Sequence, residues 1–281
     1  MIGAIAGDII GSVYENFRTK RKDFRLFTPV STFTDDTVLT MAVADAILAR
    51  SAYGPKIKSY ARRHPLRGYG HRFMIWMAKP GIAPYNSFGN GSAMRVSPVA
   101  HAFQSEKEVL DHAERTAECT HNHPEGIKGA QATAFAVFLA RSGADKDSIR
   151  SEIQQRFGYD LSRTIDAIRP DYRIDLTCQG SVPESIIAFL DSTSFEDAIR
   201  NAVSLGGDAD TQACIAGAIA EAYYKAIPLE ILRQVRRRTS KVLWKKAMEF
   251  SREFGIKEIV EQLDSLEEKV RADWLCTIPR E

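Results

Sequence analysis

No two of the four cysteines, Cys119, Cys178, Cys214 and Cys276, are spaced as a CxxC pair. That excludes a thiolate zinc site and a dense disulfide framework. It leaves reduced, mostly structural thiols, as expected of a cytoplasmic protein. The chain also lacks the run of about 18 uninterrupted apolar residues that a membrane span needs. Its apolar start, MIGAIAGDIIGSVYEN, carries no basic leader, is interrupted by Asp8 and precedes no small-residue cleavage site, so it does not read as a signal peptide. Excess charge of one sign is missing as well. The net charge is +2, and no global field argues for nucleic acid or membrane as a partner. Strand signals are weak, and there is no fixed-period repeat, low-complexity tract or clear linker.

What is present is helical patterning over 281 residues, with 44% apolar and 26% charged residues, ordinary values for a globular chain. Residues 2–14 place Gly3, Gly7 and Gly11 on one helix face, where another backbone can approach closely. A helix is expected from Asp36 to Arg50. A long loop rich in Pro, Gly and Tyr is expected from about Arg63 to Ser97, and loops of that length are usually functional. Helices are expected at 106–119, 125–142, 145–157, 160–168, 183–190, 194–204 and 210–225, with an irregular stretch over 169–182. The charged tail from 229 to about 270 reads as a helical extension packed on a single domain of residues 1–281. Together these readings predict an all-α monomer.

Two helix starts are over-supplied with oxygen. FTDDTV gives Thr34, Asp35, Asp36 and Thr37; about 170 residues later, GGDADT gives Asp208, Asp210 and Thr211 after two glycines. N-capping accounts for one or two oxygens per helix, worth about 0.5–2 kcal/mol. It does not account for adjacent carboxylates that repel each other, nor for glycines that let the backbone come close to something. Carboxylates and hydroxyls without His or Cys suit hard cations, Mg²⁺ first and Mn²⁺ or Ca²⁺ next, and two divalent ions would balance four carboxylates.

Other segments are weaker signals alone. SFGNGSAMRVSP sets Gly89 and Gly91 around Asn90, then Ser92 and Arg95; such a loop can turn backbone N–H groups toward an anion. THNHPEG holds His121 and His123 two apart with no further ligand at partner spacing. Glu15 closes the N-terminal glycine helix. The basic run Arg233–Lys246 reads as a solvated helix face, with nucleic-acid binding as the lesser alternative.

In this order, GDIIGSVYE, FTDDTV, GNGSAMR, THNHPEG and GGDADT resemble the ADP-ribosylglycohydrolase family, the relatives of dinitrogenase reductase-activating glycohydrolase. The motifs span residues 7–211, and none falls in the tail. The resemblance implies an orthogonal multi-helix bundle with a binuclear metal cleft. It implies two Mg²⁺ ions, Mn²⁺ being the alternative, on Thr34, Asp35, Asp36, Asp208, Asp210 and Thr211. Asn90, Gly91, Ser92 and Met94 would lie along the ADP-ribose, with His121 near the distal ribose or diphosphate. Ser92 stands where relatives often have Gly or Ala.

The implied reaction is hydrolysis of the C1″ glycosidic bond of an ADP-ribosylated acceptor, protein or other, through an oxocarbenium-like state. The ions would hold the ribose hydroxyls and supply an activated water. Asp36 or Asp210 would take its proton, and Glu15 would protonate the leaving group or gate the site. Two other classes use a similar cleft: a non-catalytic ADP-ribose binder, and a Mg²⁺-dependent nucleotide-diphosphate phosphohydrolase. Release of intact ADP-ribose separates the hydrolase from the binder, and AMP as product marks the phosphohydrolase.

Overall fold

The computed structural model describes the backbone of residues 1–276 and the side chains of residues 1–270. The last five residues of the expected 1–281 domain, and the side chain of Cys276, lie outside that description. In chain order the helices are α1 (Ile2–Gly11), α2 (Asp35–Leu48), α3 (Tyr53–Arg63), α4 (His71–Ala78), α5 (Ser97–Ala102), α6 (Glu106–Glu118), α7 (Pro124–Arg141) and α8 (Lys146–Phe157). They continue as α9 (Ile165–Ile168), α10 (Cys178–Leu190), α11 (Phe195–Val203), α12 (Ala209–Tyr224), α13 (Leu229–Arg238), α14 (Lys241–Phe254) and α15 (Lys257–Cys276). Among the described residues there is no strand, only one antiparallel bridge between Gly89 and Thr177. The architecture is all-α, as the patterning predicts.

The centre is an antiparallel pair, α1 and α12. Every residue of α1 is buried, and α12 is buried from Ala209 to Ala222. Helices apolar on all sides belong at the middle of a bundle. The three-glycine face does what its spacing predicts. A Cβ on Gly3 would lie 2.2 Å from the Gly217 carbonyl oxygen, one on Gly7 2.0 Å from that of Ala213, and one on Gly11 2.4 Å from that of Ala209. Four-residue steps on α1 meet four-residue steps on α12 in the opposite direction. The start of α12 therefore lies against the end of α1. Helices α7, α10 and α11 pack on α12, α2 packs on α1, and the tail lies over them, α13 on α1 and α14 on α2.

Several boundaries differ from the sequence reading, each for a local reason. Helix α1 stops at Gly11, and turns with Tyr14 and Glu15 bonded back to the Gly11 carbonyl carry the chain on, so Glu15 sits on a turn. The expected loop 63–97 contains α4, whose Phe73 and Trp76 are buried, and a 3₁₀ turn at Asn90–Ser92. Eight residues with two buried positions give too little periodicity to recognise. The helix expected over 160–168 shrinks to Ile165–Ile168, because Asp160 holds Ser162 in a turn and Thr164 caps the single turn that follows. Helix α10 begins five residues before Pro183, where Thr177 accepts from the Gly180 N–H. Cys119, Cys178 and Cys214 form no disulfide.

Gly7→Ala tests the central contact. The new methyl meets backbone, which cannot move aside, so the loss should reach about 3 kcal/mol or more. For a 281-residue chain this is a melting temperature lower by about 5 °C or more, read by calorimetry or circular dichroism.

Candidate metal centre

The α1–α12 contact brings two acidic helix starts to one place. Asp8, on the last turn but one of α1, is fully buried and faces the N-terminus of α2. Its carboxylate accepts from the Thr34 N–H (3.0 Å), the Thr34 hydroxyl (2.7 Å), the Thr37 N–H (3.1 Å) and the Thr37 hydroxyl. Thr34 is also the N-cap of α2, its oxygen accepting from the Asp36 N–H at 3.3 Å. Both threonines of the TDDT stretch are thus tied to Asp8, and the two acids between them are left to face the cleft. Sequence reasoning missed Asp8: it looked like an interruption in an apolar helix, and only the tertiary contact shows what it holds.

A cleft of about 340 Å³ opens beside this turn. Of the residues singled out from sequence, it is lined by Glu15, Asp35, Asp36, Gly89, Asn90, Gly91, Met94, Arg95, His121, Asp208, Asp210 and Thr211. Thr34 and Ser92 are not on its surface: Thr34 serves Asp8, and the Ser92 hydroxyl donates to the Gly126 carbonyl at 2.7 Å. Carboxylate oxygens of Glu15, Asp208 and Asp210 lie within 4.8 Å of one another. The Thr211 hydroxyl is 3.4 Å from Asp36 Oδ1 and links the start of α12 to that of α2. The Asn90 amide donates to Asp208 Oδ2 at 2.7 Å. Asn90 itself is held by the lone bridge, its N–H donating to the Leu176 carbonyl at 2.9 Å. His123 does not join His121; it caps α7, its ring accepting from the Glu125 N–H.

The electrostatics of this cluster are unbalanced. Among the described residues, none of Asp8, Glu15, Asp35, Asp36, Asp208 and Asp210 has a salt bridge to Lys or Arg. Burial, then the charges of Asp8 and its neighbours, push Asp35 and Asp36 well above the ordinary carboxylate value; burial and then Asp208 do the same to Asp210. Asp208 is raised by burial against the hydrogen bonds of Asp210, Asn90 and Thr211, and Glu15 by burial and Asp208. Asp36 Oδ2 is buried with no hydrogen-bond partner. The N-termini of α2 and α12 offset part of this, about 0.3–1 kcal/mol for each nearby carboxylate. An all-oxygen donor set with an orphaned, buried carboxylate oxygen fits hard divalent cations, and among the described residues the cluster of Glu15, Asp208 and Asp210 includes none of the His or Cys ligands zinc prefers.

Comparison with known proteins points to one family. The ADP-ribosylglycohydrolase family model matches residues 1–267, so the match runs through most of the tail, where the sequence reading found no motif. The chain is 30% identical to the ADP-ribosylhydrolase ARH3 of Mus musculus, the alignment covering 80% of this chain and 82% of that one. It is 25% identical to the ADP-ribosylarginine hydrolase Tri1 of Pseudomonas putida, over 80% of this chain and 69% of the relative. A solved structure described as an ADP-ribosylglycohydrolase-related protein complex superposes with a TM-score of 0.71 at 26% identity, covering 91% of this chain and 97% of that one.

The raised carboxylates set the sign of the pH dependence. Groups whose folded pKa is raised bind protons more readily in the folded state. Their contribution to stability is complete below the ordinary aspartate value of 3.8 and is lost as pH rises through the raised folded values. Metal-free protein should therefore melt lower at pH 7.5 than at pH 5.5 by more than an Asp36→Asn variant does. Mg²⁺ at about a hundred times its Kd should restore about 2.7 kcal/mol, or about 5 °C, at the higher pH. Thermal scans with Mg²⁺ and with chelator read both effects.

Proposed function

The chain belongs to the ADP-ribosylglycohydrolase family and is a hydrolase of ADP-ribosyl glycosidic bonds; we propose that it frees ADP-ribose from a modified acceptor with two Mg²⁺ ions in its cleft. The observation that carries the metal reading is the convergence of buried acids without an ion pair, with Asp36 Oδ2 left bare. Asp35, Asp36, Asp208, Asp210 and Thr211 would hold the ions, with Thr34 contributing through the turn it caps. Mn²⁺ suits the same oxygen set. When bound, such ions fix sugar hydroxyls and lower the pKa of a nearby water.

The rest of the chemistry falls to the chain's own groups. Cleavage at C1″ develops positive charge on the ribose, which the surrounding carboxylates stabilise. In this reading Asp36 or Asp210 would take a proton from the attacking water. Asp210 lies beside Asp36 and is kept from a close counter-charge. Glu15, on the turn after α1, faces the cleft next to Asp208 and Asp210; in this reading it would protonate the departing acceptor or gate the site. Asn90 fixes Asp208 by its amide. Gly91 leaves room for the His121 ring: a Cβ there would lie 3.2 Å from Nε2. The cleft continues past the 3₁₀ turn to Tyr85 and Leu176, an apolar wall for the far end of a nucleotide-like substrate. Arg95 lines the same cleft, is fully buried and has no carboxylate partner among the described residues. A buried cation without a counter-charge favours an anionic ligand, such as a diphosphate.

Arginine-linked ADP-ribose is the first acceptor to test, because one relative is an ADP-ribosylarginine hydrolase. Serine- and nucleobase-linked substrates complete the panel. With Mg²⁺ the product should be intact ADP-ribose, and chelator should stop its release; AMP as the product would point to phosphohydrolysis. Asp210→Asn should lower kcat by more than about a hundredfold and abolish the Mg²⁺-dependent rise in melting temperature. Glu15→Gln should lower kcat by about 10² to 10⁴ while ADP-ribose affinity, measured by calorimetry, stays within about threefold. A parallel loss of affinity would make Glu15 a ligand-holding group instead.

A further inference from the structure

His121 enters the cleft on a short chain of hydrogen bonds that determines what its ring can do. One terminal nitrogen of Arg95, Nη2, donates to the Thr116 carbonyl at 2.8 Å and to Thr120 Oγ1 at 2.8 Å. Its two hydrogens are thereby used. Thr120 Oγ1 lies 2.7 Å from His121 Nδ1. Both Arg95 and Thr120 are completely buried, and His121 is 5% exposed. An arginine can only donate, so Thr120 accepts from it. The hydroxyl hydrogen then needs an acceptor of its own: His121 Nδ1 lies at 2.7 Å, and the neighbouring Cys119 sulfur, whose thiol donates to the Thr116 carbonyl, is the weaker acceptor of the two. With Nδ1 accepting, the single proton of the neutral ring sits on Nε2. That nitrogen is the edge turned to the glycine turn: a Cβ on Gly91 would lie 3.2 Å from it, and one on Gly89 3.6 Å.

We propose that Arg95 and Thr120 are positioning residues that hold His121 as the neutral Nε2–H tautomer, so that the ring presents one N–H donor to the diphosphate of an ADP-ribosyl group in the cleft. The inference rests on the substrate reading above and adds to it which atom of His121 contacts the anion and what orients it. The accepting nitrogen, Nδ1, is turned inward and occupied by Thr120, so the ring has no basic nitrogen facing the cleft. Two further observations agree. Burial, then the charges of Arg95 and Arg72, push the ring well below the ordinary histidine value, so it stays neutral. Arg95 Nε and Nη1 are buried without partners, as expected of a cation whose balancing charge arrives with the ligand.

The test uses the full-length protein labelled with ¹⁵N. Long-range ¹H–¹⁵N correlation reads the tautomer of each histidine, with His121 assigned by its loss in His121→Asn. Wild type at pH 7 should show His121 protonated at Nε2 only, and that resonance should move when ADP-ribose is added. Thr120→Val should lose the single tautomer and bind ADP-ribose about tenfold more weakly, while Thr120→Ser restores both. A ring protonated at Nδ1, an imidazolium at pH 7, or an unchanged tautomer and affinity in Thr120→Val would each overturn the proposal. If Thr120→Val does not fold, the wild-type spectrum and Thr120→Ser still decide it. Failure of wild type to bind ADP-ribose, with the Nε2–H signature in place, would overturn the substrate reading and leave the tautomer assignment standing.

Discussion

The close contact between the backbones of α1 and α12 is the constraint on which the site depends. Three glycines remove every side chain from one face of α1, and the carbonyls of α12 come as near as a missing methyl allows. Two consequences follow from the antiparallel direction. The acidic start of α12 is delivered to the end of α1, where Glu15 follows. Asp8, one residue after the middle glycine, is carried to the N-terminus of α2, where it collects four donors from Thr34 and Thr37. A helix chosen for close packing thus also fixes the orientation of the acids that face the cleft.

That arrangement costs stability in the metal-free chain. Buried carboxylates with raised proton affinity and no ion pair are destabilising, and the hydrogen bonds from Asn90 and the threonines relieve only part of the repulsion. Much of the remaining molecule answers this cost with apolar burial: α1 and α12 are buried on all sides, and α7, α10 and α11 pack around them. The tail contributes in the same way. Ile231, Leu232 and Val235 are buried on α13, while Arg236 pairs with Glu267 of α15 at 2.6 Å and Arg238 donates to the Thr28 carbonyl. Its basic run is therefore partly engaged in holding the tail to the bundle.

The features legible in the sequence were those written in local chemistry. Surplus carboxylates at two helix starts and glycines at four-residue spacing can be read without knowing what they touch, and both lie where their pattern predicts. The ordered motifs gave the family, and the cleft gathers most of the candidate site residues drawn from them. What could not be read depends on partners distant in the chain. Asp8 is a lone acid in an apolar run until Thr34 and Thr37 reach it from 26 and 29 residues away. Thr120 is one of several threonines until Arg95 donates to it across 25 residues. Helix α4 was lost because two buried residues in eight leave no periodic trace, and the start of α10 because a proline inside a helix resembles a helix entrance. Ser92 belongs to the motif, yet its hydroxyl serves the packing of α7 through Gly126 rather than the cleft.

The spacing of the glycines also limits how the central pair can shift. Gly3, Gly7 and Gly11 mesh with Gly217, Ala213 and Ala209 like teeth on two racks. Any slip short of a full step would drive a side chain of α1 into the α12 backbone. The next register is four residues away, about 6 Å along the axis. Such a step would carry Asp208 and Asp210 clear of Glu15 altogether. The acids of the two helices are therefore either in step or out of reach, with no intermediate setting in which the site is merely loosened by sliding.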